Sequence, residues 1–458
     1  MNVSKLISSA PIILVLSALL TACSTLGKHP DYEHLAEQDT MRLETWSQIS
    51  SDTKTTYLNE LLDSPVLEEI LGQAMENNPE LQQTLLALDI LQSQYLATRA
   101  TQLPTVDAAL SGSKTEGANA DYTGSVTVSW ELDLWSRLAN ETSAAANDVA
   151  EQQALYQYVR DTLAAEVMQS WLKLINLNQA IAIEEQRVDL LERNEQWILQ
   201  RYRSGMGDLE DLDSARSTAA SARSTLIGLK ESLQQQQRAM NLLLGRSQGS
   251  TVIASDYPEV LVPLADLPNQ TLQRRPDLKA AYAAIKASDL RTSVAYKEML
   301  PSINLEAALS DTGTSPGDAL LRNPVWSLLG QLTAPLFRGG ELRANAEAAE
   351  LATAQSYQAY RETLLTAVKE VENAISRESS LGAQREQIEI ALSSARSNFK
   401  QYQQKYRNGL VSVLDLLEVQ QSAFDLESQL NDLTYERLGN RVTLGLALGL
   451  GIKETDQR

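Results

Sequence analysis

The chain has 458 residues, with 59 acidic and 39 basic side chains and a formal net charge of −20. Nucleic-acid binding needs a basic face to neutralise phosphates, so this balance argues against it. One Cys and two His rule out a disulfide framework within the chain and leave little for a His/Cys metal site, a Cys nucleophile or a His base.

In the N-terminal segment, Lys5 precedes an apolar run from Leu6 to Leu20, too short for a comfortable membrane span. The run ends in Leu20-Thr21-Ala22-Cys23, and the only Cys of the chain falls there. Leu, two small residues and Cys form the lipobox pattern of bacterial lipoproteins. Residues 1–22 therefore read as a lipoprotein signal peptide, with Cys23 as the lipidation site carrying diacylglycerol and a fatty acyl chain. Several acyl chains, at roughly 0.8 kcal/mol per buried CH₂, give stable anchoring. Ser24 after the Cys resembles outer-membrane sorting. Residues 23–64 read as an N-terminal periplasmic segment.

The first repeat spans 65–249. From Pro79 to Ala100 the pattern is helical, with Leu81, Leu85, Leu88 and Leu91 three or four apart. A β-hairpin follows at about 102–135. Val106, Ala108 and Leu110 alternate with polar residues, as do Val126, Val128, Trp130, Leu132 and Leu134. Trp135 closes the second strand as an aromatic girdle residue, and Glu131 and Asp133 fall on the polar face. From Leu138 to Tyr202 there is neither Pro nor Gly, which predicts a helix of roughly 100 Å. Tyr156, Val159, Leu163, Val167, Trp171, Leu174, Leu177 and Ile181 form its coiled-coil seam. A turn near 203–208 reverses the chain.

Residues 250–270, with Pro258, Pro263 and Pro268, link the halves. The second repeat spans 271–451, with a β-hairpin at about 300–337 closed by Phe337, a long helix from Glu341 to Arg407, and a turn near 407–412. Residues 452–458 are a C-terminal tail. The repeats align at two offsets. Leu103-Pro104 matches Leu300-Pro301 at 197, and Arg201-Tyr202-Arg203-Ser204-Gly205 matches Lys405-Tyr406-Arg407-Asn408-Gly409 at 204. Such duplication suggests units that bury their faces against one another.

Four strands with one apolar and one polar face fit a transmembrane β-barrel. Four cannot close, and an open edge is forbidden in lipid, so closure requires several chains. Two copies give eight strands and little lumen. Three give twelve and an aqueous pore.

The turns carry the most specific chemistry. Arg203 and Gly205, like Arg407 and Gly409, are helix-closing residues that also make exposed docking tips. Asp415 and Glu418 lie three apart on one helix face, and Ser412-x-x-Asp415 reads as a capping box. Asp211 holds the matching place in the first repeat. In a symmetric oligomer these carboxylates repeat as rings that repel, raise one another's pKa and attract cations.

These residues resemble the TolC-type outer-membrane efflux proteins, and within them the OprM-like lipoprotein branch. The match runs over nearly the whole mature chain. It rests on the lipobox at Cys23, Arg274-Arg275-Pro276-Asp277-Leu278, Leu300-Pro301-Ser302-Ile303, Ser129-Trp130-Glu131-Leu132-Asp133-Leu134-Trp135 and the two Tyr-Arg-x-Gly turns followed by Asp-Leu. The resemblance implies a mainly α fold with a membrane β-barrel portion: a homotrimer with a twelve-stranded barrel in outer-membrane lipid and a helical coiled-coil barrel in the periplasm. It implies a passive multidrug or small-solute duct, with no catalytic residues, no metal and no cofactor beyond the lipid. Its partners are a periplasmic adaptor and an inner-membrane pump, of the proton-driven resistance-nodulation-division type. Asp415, Glu418, Tyr406 and Asp211 fall on the pore gate, with Tyr406 as a latch. The adaptor meets the turns around Gly205 and Gly409. Val411 and Gln421 occupy positions where some relatives carry a basic latch residue. The alternatives are a duct for type I polypeptide secretion and a non-conducting structural envelope lipoprotein.

Overall fold

The computed structural model describes residues 30–42, 46, 57–62, 64–117, 119–263 and 268–453. The signal segment, Cys23, linker residues 264–267 and tail residues 454–458 lie outside the described residues. The elements in chain order are α1 (Tyr32–Met41), α2 (Pro65–Asn77), α3 (Pro79–Ala100), β1 (Thr105–Ser113), β2 (Asp121–Leu132), α4 (Arg137–Arg203) and α5 (Leu209–Leu243). Then come α6 (Pro268–Arg274), α7 (Pro276–Lys297), β3 (Ser302–Gly313), β4 (Val325–Thr333), α8 (Glu341–Arg407) and α9 (Val413–Ala447). Among the described residues no helix is long and apolar enough to cross a membrane.

The chain divides into two compact units, and each draws on both repeats. One comprises residues 1–39, 87–153 and 280–362; the other comprises 40–86, 154–279 and 363–458.

The first unit holds a four-stranded antiparallel sheet in the order β1-β2-β3-β4. Its register sorts the side chains by face. One row pairs Val106, Val128, Ala307 and Leu328; the adjacent row pairs Asp107, Thr127, Ala308 and Ser327. Successive rows point to opposite faces, so one face is apolar and the other polar. Leu329, opposite Glu306, is an apolar exception on the polar face. Every residue of β1 and β4, the edge strands, is exposed.

Three sequence expectations shift here. β2 ends at Leu132 and β4 at Thr333, so Trp135 and Phe337 lie beyond the strands rather than closing them. The Trp135 indole donates instead to the Pro301 carbonyl at 2.7 Å. Asp133 has also left the polar face. Its two oxygens accept the Leu138 and Ala139 N–H groups at 3.1 and 2.8 Å, satisfying orphan donors at the start of α4.

α4 and α8 each run 67 residues, as their freedom from Pro and near freedom from Gly predict. In the second unit the α4 seam is the core. Leu163, Val167, Trp171, Leu174, Leu177 and Ile181 are all buried, alongside Leu58, Leu61, Met240 and Val442. Leu364, Ala367, Val371 and Ile375 are buried on α8. The Arg-Pro-Asp-Leu motif is a lock in this unit. Buried Arg275 donates to the Ala447 carbonyl at 2.9 Å, to both Asp277 oxygens at 3.1 and 2.7 Å, and to Glu370 at 2.8 Å. Each guanidinium nitrogen has an acceptor, which is what allows a cation to be buried.

Candidate gate at the helical turns

Both turns lie in the second unit and close by one backbone device. At the first, the Gly205 N–H donates to the Tyr202 carbonyl at 3.0 Å and the Met206 N–H to the Arg201 carbonyl at 2.9 Å. At the second, the Gly409 N–H donates to Tyr406 at 3.0 Å and the Leu410 N–H to Lys405 at 2.9 Å. Gly205 and Gly409 have φ of 73° and 70°, a left-handed conformation that costs a residue with a Cβ. Arg203, Gly205, Arg407 and Gly409 are all exposed at the tips.

The outgoing helices start with matched caps. The Asp208 carboxylate accepts the Asp211 N–H at 2.8 Å. The Ser412 hydroxyl accepts the Asp415 N–H at 3.1 Å, while Asp415 accepts the Ser412 N–H at 2.8 Å. The capping box at Ser412 and Asp415 is therefore present. Asp415 also accepts the Ser412 hydroxyl, with an O···O distance of 2.6 Å. Bonds from the Ser412 side chain and backbone hold the Asp415 carboxyl below the usual range within one chain, against the upward shift expected of a carboxylate ring. Asp211 shifts the other way. Partial burial pushes it up, Asp208 adds to that, Arg201 opposes it and Glu210 adds again. Glu418 is exposed on α9, one helical turn beyond Asp415.

Tyr406 stands between the two helical hairpins. Its hydroxyl accepts from the Arg201 Nη1 at 3.1 Å, and its ring meets Trp197 edge-on at 5.2 Å between centroids. Arg201 also stacks over Trp197 at 5.2 Å and donates through Nη2 to the Met206 carbonyl at 3.0 Å. One guanidinium thus grips its own turn and the opposite one. Burial is the main reason the Tyr406 hydroxyl is harder to ionise than usual, and Arg201 partly offsets it. A basic partner for Tyr406 is therefore present, but it comes from α4 rather than from Val411 or Gln421. Arg201, Trp197 and Asp208 escaped the sequence reading. Arg201 belongs to the repeated Arg201-Tyr202-Arg203-Ser204-Gly205 motif, in which the sequence singles out only Arg203 and Gly205 as helix-closing residues.

The chain is similar to known proteins in both sequence and fold. A sequence profile described as "Outer membrane efflux protein" matches residues 70–246 and 267–450, once in each half. The chain is 27% identical to the cation efflux system protein CusC of Escherichia coli O6:H1 over 397 residues, covering 84% of this chain and 86% of CusC. It is 25% identical to the probable outer membrane lipoprotein SilC of Salmonella typhimurium, over 88% and 89% of the two chains. It is 27% identical to the outer membrane protein OprJ of Pseudomonas aeruginosa, over 96% and 95%. A CusC crystal structure superposes with a TM-score of 0.80 at 23% identity, covering 89% of this chain and all of that one, a likeness of fold. A membrane protein from Pseudomonas aeruginosa superposes with a TM-score of 0.81 at 25% identity, over 88% and 99%. With both halves matched over most of its length, the chain belongs to the outer membrane efflux protein family.

Proposed function

We propose that three copies close edge to edge, β4 of one to β1 of the next, into a twelve-stranded barrel whose helices continue as a periplasmic duct. The observation that carries this reading is the sheet. Its register gathers Val106, Val128, Ala307 and Leu328 on one face, and its edge strands have no outer partner strand among the described residues. Lipid tolerates the apolar face but not the open edges. The polar face, with Glu131 and Glu306, lines the water. The duct is passive and has no catalytic step. Drugs or other small solutes reach it from a proton-driven inner-membrane pump through an adaptor seated on the turns at Gly205 and Gly409. Acylated Cys23 anchors each copy in outer-membrane lipid. Asp415 and Glu418 form the constriction and Tyr406 its latch.

Planar-bilayer recording of the purified trimer tests this reading. Discrete conductance is expected, with higher conductance or weaker divalent-cation block after Asp415→Ala with Glu418→Ala. Unchanged conductance and block would remove the gate assignment. A trimer that never conducts would favour a structural lipoprotein. Cross-linking in cells identifies the cargo class: recovery of an ATP-driven exporter instead of a proton-driven pump would favour polypeptide secretion.

A further inference from the structure

The apolar face of the sheet runs out before the strands do. Reading away from α7 along β3, Ile303, Leu305, Ala307 and Leu309 share that face with Leu132, Trp130, Val128 and Val126 of β2. The next two rows on the same face pair Asp311 with Gly124 and Gly313 with Tyr122. From Ile303 to Leu309 is six residues, about 20 Å along the strand and about 16 Å of barrel height at a tilt of about 40°. An outer-membrane barrel presents an apolar band about 25 Å tall. The side chains of the β2–β3 ladder therefore fall about 9 Å short.

The connection between β3 and β4, residues Thr314 to Pro324, covers the deficient rows. It folds back over the same face, so close to Gly124 that a Cβ there would collide with the Ala319 carbonyl oxygen. A Cβ at Gly313 would lie 2.5 Å from the Asp318 Cβ. Ala319 is fully buried in this seat. The Asn323 N–H donates to Asp311 at 2.9 Å, giving that carboxylate a partner. The Ser315 hydroxyl donates to Asp318 at 2.6 Å, and the Ser315 carbonyl accepts the Asp318 and Ala319 N–H groups at 3.1 and 3.3 Å. Leu321 has a φ of 54°, which costs a residue with a Cβ roughly 1–2 kcal/mol. Such strain persists only where the surroundings fix it. The connection is thus a built strap on a glycine seat, and Leu320 at its middle is 66% exposed.

With the two covered rows included, Ile303 to Gly313 is ten residues, about 34 Å along the strand and about 26 Å in height. That height matches the apolar band. We propose that the strap completes the lipid-facing belt, holding Leu320 against the acyl chains of the outer leaflet. This rests on the twelve-stranded barrel proposed above. Asp318, over the last row, pairs with Arg322 at 3.8 Å, and both stay exposed at the level of the headgroups. Glycine at 124 and 313 then serves the strap, because a side chain at either place lifts it from the wall.

The test places photoreactive p-benzoylphenylalanine at Leu320, or at Trp326 on the strand wall, in the full chain in intact cells. After irradiation, attached lipopolysaccharide is detected by antibody. Capture is expected at both positions. Gly124→Ala should remove most of the capture at 320 and leave that at 326. Capture at 326 without capture at 320 overturns the proposal and leaves the barrel standing. Undiminished capture at 320 in the Gly124→Ala chain overturns it as well. If Gly124→Ala abolishes capture at both positions, Asp311→Ala decides, since it frees the other end of the strap: full capture at 320 then overturns the proposal. No capture at either position in the unaltered background removes the barrel reading, and the proposal with it.

Discussion

The first and second turns share one backbone and differ in chemistry. Gly205 and Gly409 close them by the same pair of hydrogen bonds. Asp211 and Asp415 occupy the same place one turn into the following helix, each donating its N–H to a cap. Their carboxyls nevertheless shift in opposite directions. The cap at the first turn is Asp208, an acceptor that can only repel Asp211. The cap at the second is Ser412, whose hydroxyl donates to Asp415. Duplication preserved the punctuation, while partial burial with Asp208 behind it raises Asp211 and the Ser412 bonds lower Asp415.

The largest test of this contrast is Arg201→Ala, because Arg201 bonds to both turns. Loss of its charge-assisted bonds and its stacking should cost about 2 kcal/mol locally. Amide exchange should quicken around Tyr406 although the substitution lies in the other hairpin. Tyr406→Phe should cost about 1 kcal/mol, and the double variant should add little to Arg201→Ala. Independent, additive effects would mean that the two turns are not coupled.

Next in size are Gly205→Ala and Gly409→Ala. Both force a Cβ into the left-handed region and should destabilise their turns equally, by about 1 kcal/mol each in hydrogen exchange. Unequal costs would break the claim of a shared backbone.

The smallest effect is the cap exchange. Asp208→Ser should lower the Asp211 pKa, and Ser412→Asp should raise that of Asp415, both followed by carboxyl NMR titration. The sign for stability follows. Asp211, raised on folding, contributes stability at low pH that is lost as pH rises through its folded value. Asp415, lowered on folding, contributes above the unfolded value and loses that contribution as pH falls through its folded value. Exchange protection at the two turns should therefore respond oppositely to acid. A parallel response would sink the cap explanation.

Much of this could be read from residues. Freedom from Pro and near freedom from Gly marked α4 and α8, and strict alternation marked the strands, because these patterns are local and periodic. The Ser412–Asp415 box was visible for the same reason. Contacts that cross the chain were not. Arg201 meets Tyr406 over 205 positions, and the spacing of neither residue announces the other. Asp133 looked like one more polar residue of a strand, but the strand stops one residue earlier and leaves it free to cap α4. The hydrogen bonds from Tyr282 to Glu37, Tyr357 to Asp39 and Tyr360 to the Ala36 carbonyl, which fasten α1 to α7 and α8, were equally hidden, because nothing in the spacing of these tyrosines points to α1.

The β2–β3 ladder joins the closing strand of one repeat to the opening strand of the next. Joining β4 to β1 of a second copy repeats that kind of seam. A ring of three such chains therefore has a wall of six similar staves, while Asp415 and Glu418 occur on only three of them. In the proposed trimer, the wall and the Asp415 and Glu418 positions then differ in rotational order. A substitution in one repeat alters every second stave, and the untouched staves in between serve as an internal control within one assembly.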